Sequence, residues 1–167
     1  MAHQTLLVLD FGSQYTQLIA RRLRELKVFT EILPFDTPAS ELAARRPAGV
    51  ILSGGPSSVR DEGAPRCQAG VFDLDVPVLG ICYGMQLMAD MLEGRVEPAP
   101  EREFGHASVT VESDSPLFES LPREIRVWAS HGDLVARTPP GFRVVATSAN
   151  APVAAMEDAT RRYYALL

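Results

Sequence analysis

Short apolar runs and amphipathic segments alternate along the first half of the chain. Residues 6–9 form a continuous apolar run followed by Asp10, which is typical of a strand buried on both faces of a sheet. Over residues 15–27 the apolar side chains recur every three or four positions between Arg and Glu, which predicts an amphipathic helix. Residues 28–33 are then expected to form a second strand.

The same alternation continues as far as Gly94. The predicted strands cover residues 49–52 and 76–81, and the predicted helices cover residues 39–45, a short segment around Cys67 and residues 85–92. Alternating strands and helices are typical of an α/β fold in which a mostly parallel, doubly wound sheet carries helices on both faces.

Beyond Gly94 the pattern changes to short strand-like runs separated by Pro and Gly turns. Three of these runs cover residues 108–112, 125–128 and 143–146, and residues 153–156 and 163–167 are expected to form a terminal hairpin. No linker or low-complexity stretch divides the chain. We therefore expect antiparallel strands that extend the parallel sheet within a single domain covering residues 1–167.

The composition and charge exclude several classes of function. The chain is 46% hydrophobic and 22% charged, and its formal charge of −5 would repel a phosphate polymer, so no nucleic-acid partner is expected. No apolar run approaches the roughly 20 residues that a membrane span needs, and the N-terminus lacks the features of a secretory signal. We expect a cytoplasmic protein without a membrane partner, in which Cys67 and Cys82 stay reduced.

The strongest chemical signal is Cys82, which lies in a Gly-x-Cys-x-Gly turn between a predicted strand and a predicted helix. This pattern is the thiol form of a nucleophile elbow. The sharp turn needs small residues at Gly80 and Gly84, because it brings the backbones of strand and helix together. Cys82 would then lie at a helix N-terminus, where free N–H groups favour the thiolate and lower its pKa. Cys67 has no flanking glycines and is expected to be a packing residue or an unreactive thiol.

A thiolate that attacks a carbonyl needs backbone donors for the developing oxyanion. One is the N–H of Tyr83, the residue after the nucleophile. The Gly- and Pro-containing loop at residues 53–57 follows a predicted strand and lies at the same carboxyl edge of the sheet, where it can supply a second donor. Each motif alone has a simpler interpretation, with Cys82 as a buried structural thiol and the loop as an ordinary turn.

Four segments together resemble one family. They are, in chain order, LDFGSQY at residues 9–15, SGGPSSV at 53–59, GICYGMQ at 80–86 and SHGD at 130–133. In these segments, and over essentially its whole length, the sequence is similar to the class I glutamine amidotransferase domain of the GMP synthase family. The resemblance implies a flavodoxin-like α/β fold of the class I amidotransferase type.

The resemblance also implies a glutaminase reaction. Cys82 would attack the side-chain amide of glutamine to give a glutamyl thioester and ammonia, and water would then release glutamate. The family's oxyanion hole corresponds to the backbone N–H groups of Gly55 and Tyr83. Its glutamine-binding positions correspond to Gln86, Ser130, His131 and Asp133. Gln86 also fits by its spacing, because it lies one helical turn beyond Cys82 on the same face.

Thiol catalysis also needs a general base, and the chain contains three histidines. His3 and His106 are expected to be solvated. Chemistry alone points to His131, which a predicted loop places beside a carboxylate. The resemblance implies instead that the base and its orienting acid belong to a His-Pro-Glu directly after a strand like residues 163–167, and therefore beyond Leu167. On that interpretation the 167 residues are expected to show little turnover.

In the resembled family the ammonia passes to an ATP-pyrophosphatase (synthetase) domain or subunit, which uses ATP and Mg²⁺ to convert XMP to GMP. The resemblance implies no cofactor and no metal in the amidotransferase domain itself, and residues 10–15 are expected to help form the contact with the synthetase. Two other functions stay open: a non-catalytic module that binds glutamine or a partner, and another class I amidotransferase or cysteine hydrolase of the same fold.

Overall fold

The computed structural model describes residues 3–167 as an α/β structure with nine strands in one sheet. In chain order the strands are β1 (Thr5–Asp10), β2 (Phe29–Pro34), β3 (Gly49–Leu52), β4 (Val78–Ile81), β5 (Arg95–Val111), β6 (Glu124–Arg137), β7 (Arg143–Ser148), β8 (Ala155–Asp158) and β9 (Tyr163–Leu166). The helices are α1 (Thr16–Glu25), α2 (Ala39–Ala44) and α3 (Tyr83–Met91), with short 3₁₀ helices at Ala69–Asp73 and Pro116–Phe118.

The parallel half of the sheet confirms the predicted fold class. Strands β2, β1, β3, β4 and β9 lie side by side in that order, and each neighbouring pair is parallel. This is the strand order of a flavodoxin-like sheet, with β9 as the fifth parallel strand. The carboxyl ends of β1, β3 and β4 therefore meet at one edge, where Phe11, Ser53 and Cys82 follow them.

The second half of the chain extends the same sheet with antiparallel strands, as the pattern predicted. From β9 the order continues with β8, β7, β5 and β6, and every neighbouring pair is antiparallel. β5 and β6 form a long hairpin of 17 and 14 residues, much longer than the apolar runs indicated. A break in their register between Pro98 and Glu103 interrupts the pairing.

One face of the parallel strands packs against α3. Leu7 and Leu9 of β1 point to this face and are fully buried together with Met85 and Met88 of the helix. Parallel strands carry apolar side chains on both sides, so such a sheet is normally covered on both faces. Helix α1 packs against β1 and β2, where Ala20 is fully buried. Within residues 3–167, no helix has the length and apolar character needed to cross a bilayer.

Two local predictions were wrong. The helix predicted around Cys67 is a 3₁₀ helix that begins only at Ala69, and Cys67 itself is buried in the preceding loop. Gly70 and the β-branched Val71 are poor α-helix formers, which is consistent with the tighter, shorter turn. The loop predicted to contain His131 is instead part of β6, because its residues pair with β5 across the hairpin.

Candidate active site

Cys82 lies on a strained turn between β4 and α3. Its backbone angles are φ +50° and ψ −109°, a region that residues with side chains rarely adopt. The Cys82 N–H donates to the carbonyl of Leu166 at 2.8 Å, and its own carbonyl accepts from the N–H of Gln86 at 3.1 Å. The end of β9 and the first turn of α3 therefore hold the strained residue from both sides.

Two glycines allow the strand and the helix to approach each other at this turn. A Cβ on Gly80 would lie 2.6 Å from the carbonyl oxygen of Gly84, and a Cβ on Gly84 would overlap the carbonyl of Leu52. Protein interiors are close-packed, so a larger residue at either position would push α3 away from the sheet. The two glycines thus allow Cys82 to lie at the start of the helix.

The Cys82 thiol is half-buried and lines a pocket of about 580 Å³. Burial raises the pKa of this thiol above its ordinary value. This shift is opposite to the lowering of the Cys82 pKa that the sequence predicted from the helix N-terminus. The thiol therefore needs a base to remove its proton. Cys67 is different, because it lies in the core with its Sγ 3.9 Å from Met91 Sδ, and burial raises its pKa to about 11.

The loop after β3 lies against Cys82. A Cβ on Gly54 would be 3.5 Å from the Cβ of Cys82, and Gly55 lines the same pocket. The hydroxyl of Ser53 fixes the loop, because it donates to the carbonyl of Gly54 at 2.9 Å and accepts from the N–H of Phe11 at 3.0 Å. The ends of β1 and β3 thus hold the glycines beside the thiol.

Tyr83 begins α3 directly after Cys82. Its backbone N–H belongs to the first turn, whose N–H groups have no carbonyl partner within the helix. The ring is buried and its hydroxyl donates to the Pro65 carbonyl at 2.5 Å, and burial raises the pKa of Tyr83 to about 12. The side chain is therefore a neutral packing group, which leaves the backbone N–H as the part of Tyr83 that can act as a donor.

The four residues that the resemblance assigned to glutamine binding all line this pocket: Gln86, Ser130, His131 and Asp133. Gln86 Nε2 donates to the carbonyl of Asp133 at 3.2 Å. The carboxylate of Asp133 accepts from the hydroxyl of Ser58 and, at 3.5 Å, from Nη1 of Arg60. Hydrogen bonds therefore link α3, β6 and the loop after β3 around one cavity.

His131 is buried and paired with Glu103. Its Nε2 lies 2.9 Å from Oε2 of Glu103, which is directly opposite in the register of β5 and β6. Among the described residues, Nδ1 of His131 has no hydrogen-bond partner, and no hydrogen bond joins His131 to Cys82. Glu103 thus fixes the ring of His131 in the wall of the pocket.

Three charged residues of the pocket were not predicted from the sequence: Arg60, Asp61 and Arg102. Arg60 and Asp61 directly follow the segment at residues 53–59, and this proximity to a chemical motif could have indicated them. Arg102 and the supporting Glu103 depend on the pairing of β5 with β6, for which the sequence contains no comparable signal.

A second groove, of about 850 Å³, lies away from Cys82 and is lined by Ser115, Arg143 and Glu157 among others. The Glu157 carboxylate is 1% exposed and already accepts from Arg143 at 2.6 Å and from Ser115 at 2.5 Å. Among residues 3–167, the lining of this groove includes no thiol and no imidazole. The smaller pocket at Cys82 is therefore the better candidate for a reaction site.

Residues 7–166 match the family described as glutamine amidotransferase class-I. The chain is 54% identical over 166 residues to the glutamine-hydrolyzing GMP synthase of Campylobacter lari, and 52% identical over 164 residues to that of Bacillus subtilis. These matches cover 99% and 98% of this chain but 32% of each relative, so the chain spans about a third of the length of the curated relatives it matches.

Two solved structures are also similar. A protein of Thermoplasma acidophilum described as a subunit of GMP synthase superposes with a TM-score of 0.89 at 35% identity, over 99% of this chain and 83% of that one. A glutamine amidotransferase of Thermotoga maritima has a TM-score of 0.75 at 23% identity, over 99% of this chain and 75% of that one. The second similarity is evidence for the fold alone.

Proposed function

The chain belongs to the class I glutamine amidotransferase family, and on that premise we propose that it is the glutaminase part of a GMP synthase. The observation that carries the proposal is the position of Cys82. Its thiol lies on a strained turn at the start of α3 and lines a pocket of about 580 Å³. Strained backbone is often found at functional sites, and a turn that positions a nucleophilic thiol would be such a site. The 54% identity to a GMP synthase supports GMP synthase, rather than another class I amidotransferase, as the enzyme to which this part belongs.

In the proposed reaction, the Cys82 sulfur attacks the carbonyl carbon of the glutamine side-chain amide. The backbone N–H groups of Gly55 and Tyr83 donate to the oxyanion that forms. The tetrahedral species then collapses as its C–N bond breaks, and the departing nitrogen takes the proton that the general base removed from the Cys82 thiol and leaves as ammonia. Water attacks the resulting thioester, releases glutamate and restores the thiol.

The pocket suits the zwitterionic end of glutamine because it presents both signs of charge. Arg60 and Arg102 can attract the α-carboxylate, and Asp61 and Asp133 can attract the α-ammonium group. Gln86 adds a neutral amide next to Asp133. We assign these residues, together with Ser130 and His131, to substrate binding.

Among residues 3–167, no histidine is hydrogen-bonded to the Cys82 thiol as its general base. Burial raises the pKa of Cys82, so a base is needed, yet His131 is hydrogen-bonded to Glu103 and not to the thiol. The carboxyl end of β9 lies beside the backbone of Cys82, because the carbonyl of Leu166 accepts from the Cys82 N–H. A His-Pro-Glu directly after this strand, as the resembled family has it, would therefore enter the site at Cys82. We propose that residues 1–167 without such a base turn over slowly.

The ammonia is proposed to serve the ATP-dependent amination of XMP to GMP, with ATP and Mg²⁺ bound by the synthetase part rather than by these residues. The synthetase part is either on the same chain or a separate subunit. The curated relatives are about three times as long as this chain, whereas the Thermoplasma acidophilum relative is described as a subunit. We place the reaction in the cytoplasm, because a reducing compartment keeps a catalytic thiol from forming a disulfide.

The test uses the native protein with its synthetase part and measures GMP formation from XMP and ATP with either glutamine or ammonium as the nitrogen source. Cys82→Ala should abolish the glutamine-dependent rate, by about four orders of magnitude, because the covalent step is lost. It should leave the ammonium-dependent rate unchanged, and Cys67→Ala should retain both. Glutamine-dependent GMP formation by Cys82→Ala would refute the assignment of the nucleophile. Absence of GMP formation from either nitrogen source in the unmodified protein would refute the GMP synthase proposal.

A further inference from the structure

The outer face of the β5–β6 hairpin carries large aromatic side chains in water. Phe104 lies opposite Ser130 in the register and His106 lies opposite Trp128, so all four side chains point to the same face. Phe104 and Trp128 are each 67% exposed, and His106 is exposed as well. The rings of His106 and Trp128 pack edge to face with centroids 5.2 Å apart. We call Phe104, His106 and Trp128 the hairpin patch.

The hairpin patch is continuous with the pocket of Cys82. Phe104 and Ser130 line that pocket, and Trp128 is two residues from Ser130 on the same strand and face. An aromatic surface therefore begins at the pocket and extends away from it along the hairpin. A molecule that covered the patch would also border the space into which the reaction releases its product.

The exposed aromatic side chains of this hairpin need an explanation. β6 is the last strand in the order of the described sheet, so the patch lies at the edge of the molecule where another chain can reach it. Contiguous apolar surface is uncommon on soluble monomers, and Trp, Tyr and Phe are enriched in the buried centres of protein interfaces. The inner face of the same hairpin, with Ala107, Val127 and Ala129, is at least half-buried, so the outer aromatic residues are not required for packing the domain.

We propose that the hairpin patch is the surface on which the ammonia-accepting synthetase part docks. This inference rests on the proposed function. Ammonia that escapes into neutral water is protonated and no longer nucleophilic, so the acceptor has to exclude water from the pocket exit. About two thirds of the length of the curated relatives lies outside the matched region, which is ample chain to cover the patch.

The first test uses the fact that Trp128 is the single tryptophan of this chain. In the native protein with its synthetase part, ATP and XMP, the emission of Trp128 is obtained as the difference between the unmodified protein and Trp128→Phe. We expect acrylamide to quench Trp128 about threefold less than it quenches N-acetyltryptophanamide, because docking buries the ring at an interface. Quenching at about two thirds of that of the free amide or more, as expected for a ring that stays 67% exposed, would overturn the proposal.

The second test measures coupling in the same native protein. Trp128→Ser should lower glutamine-dependent GMP formation about tenfold relative to the ammonium-dependent rate, as expected for an aromatic residue that dominates an interface. Trp128→Phe keeps an aromatic ring and should retain most of the coupling. Phe29→Ser is the matched control, because Phe29 is a 54% exposed aromatic on β2 at the opposite end of the sheet order, and it should have no effect.

The outcomes separate this inference from the function on which it rests. Ammonium-dependent GMP formation with unchanged coupling in Trp128→Ser would overturn the docking surface and leave the proposed function intact. Loss of coupling in Phe29→Ser but not in Trp128→Ser would also overturn it, because the synthetase would then dock at the other edge. Absence of ammonium-dependent GMP formation in the unmodified protein would overturn both proposals.

Discussion

Replacing Gly84 by Ala gives the sharpest test of the turn that holds Cys82. Gly84 is the second residue of α3, and on helix propensity alone this substitution would stabilise the protein by about 1 kcal/mol. The structure predicts the opposite result. The added Cβ would overlap the carbonyl oxygen of Leu52 and lie 2.7 Å from its carbonyl carbon and 2.8 Å from its Cβ.

The steric cost exceeds the gain in helix propensity. Two of these contacts are with backbone atoms of a fully buried central strand, so a rotamer change cannot relieve the overlap and α3 has to move. Overpacking of this kind typically costs about 1–3 kcal/mol, and more where the backbone resists. We expect Gly84→Ala to lower the free energy of unfolding by about 2 kcal/mol and the melting temperature by about 4–8 °C.

The assay is urea and thermal unfolding of the 167-residue protein, with Gly132→Ala as the control. A Cβ on Gly132 would meet only the Arg102 side chain, at 3.7 Å or more, so this variant should be neutral or slightly more stable. If Gly84→Ala were as stable as the unmodified protein, the close approach of α3 to β3 would be wrong, and with it the geometry that places Cys82 at the helix start.

Three further predictions concern buried polar groups. Tyr83→Phe should cost about 1 kcal/mol at pH 7 by removing the bond to the Pro65 carbonyl. Since burial raises the pKa of Tyr83 to about 12, from roughly 10 in the unfolded chain, the stability from its neutral phenol is present below pH 10 and lost as the pH rises toward 12. Urea unfolding of Tyr83→Phe should therefore show a smaller fall in stability over this range. Arg143→Ala removes the charged partner of Glu157, whose side chain is 1% exposed, and should lower the free energy of unfolding by about 2–3 kcal/mol. The loss is expected to be smaller than for a fully buried ion pair, because the arginine is half exposed. Glu103→Ala releases His131 and should raise the KM for glutamine of the native protein about tenfold.

Matched variants separate these effects from general damage. Arg21→Ala breaks an ion pair with Glu25 in which the arginine is 77% exposed, and it should change stability by less than about 0.5 kcal/mol. An equal loss in Arg21→Ala and Arg143→Ala would contradict the importance of burial. Glu101→Ala, at an exposed position of β5, should leave the KM for glutamine unchanged. An unchanged KM in Glu103→Ala would show that His131 needs no carboxylate to hold it in the pocket.

The parallel half of the fold could be predicted because its sequence signals are local. The apolar run at residues 6–9 and the three- to four-residue period at residues 15–27 differ from their element bounds by a few residues at most. The β5–β6 hairpin was underestimated because one of its faces stays in water. Polar residues such as Arg102, His106 and Ser130 interrupt the apolar pattern without interrupting the strands.

In the candidate site, too, some residues have a local sequence signal and others do not. Cys82, Gly80 and Gly84 could be identified because one short segment contains the strand, the turn and the helix start. The contact of Glu103 with His131 spans 28 residues and depends on the register after a break in the hairpin, which no local pattern determines. The pKa of Cys82 shows a further limit, because a helix N-terminus can be read from the sequence, whereas burial of the thiol depends on the assembled pocket.

Cys82 is proposed as the nucleophile of a glutaminase whose base follows β9. The most direct measurement is the release of glutamate and ammonia from glutamine by the 167-residue chain and by a version extended after Leu167 through the family's His-Pro-Glu, each with and without Cys82→Ala. We predict turnover only in the extended chain that retains Cys82. Comparable activity in the 167-residue chain would contradict this assignment and make His131 the leading candidate for the base. Activity that survives Cys82→Ala would contradict the nucleophile itself.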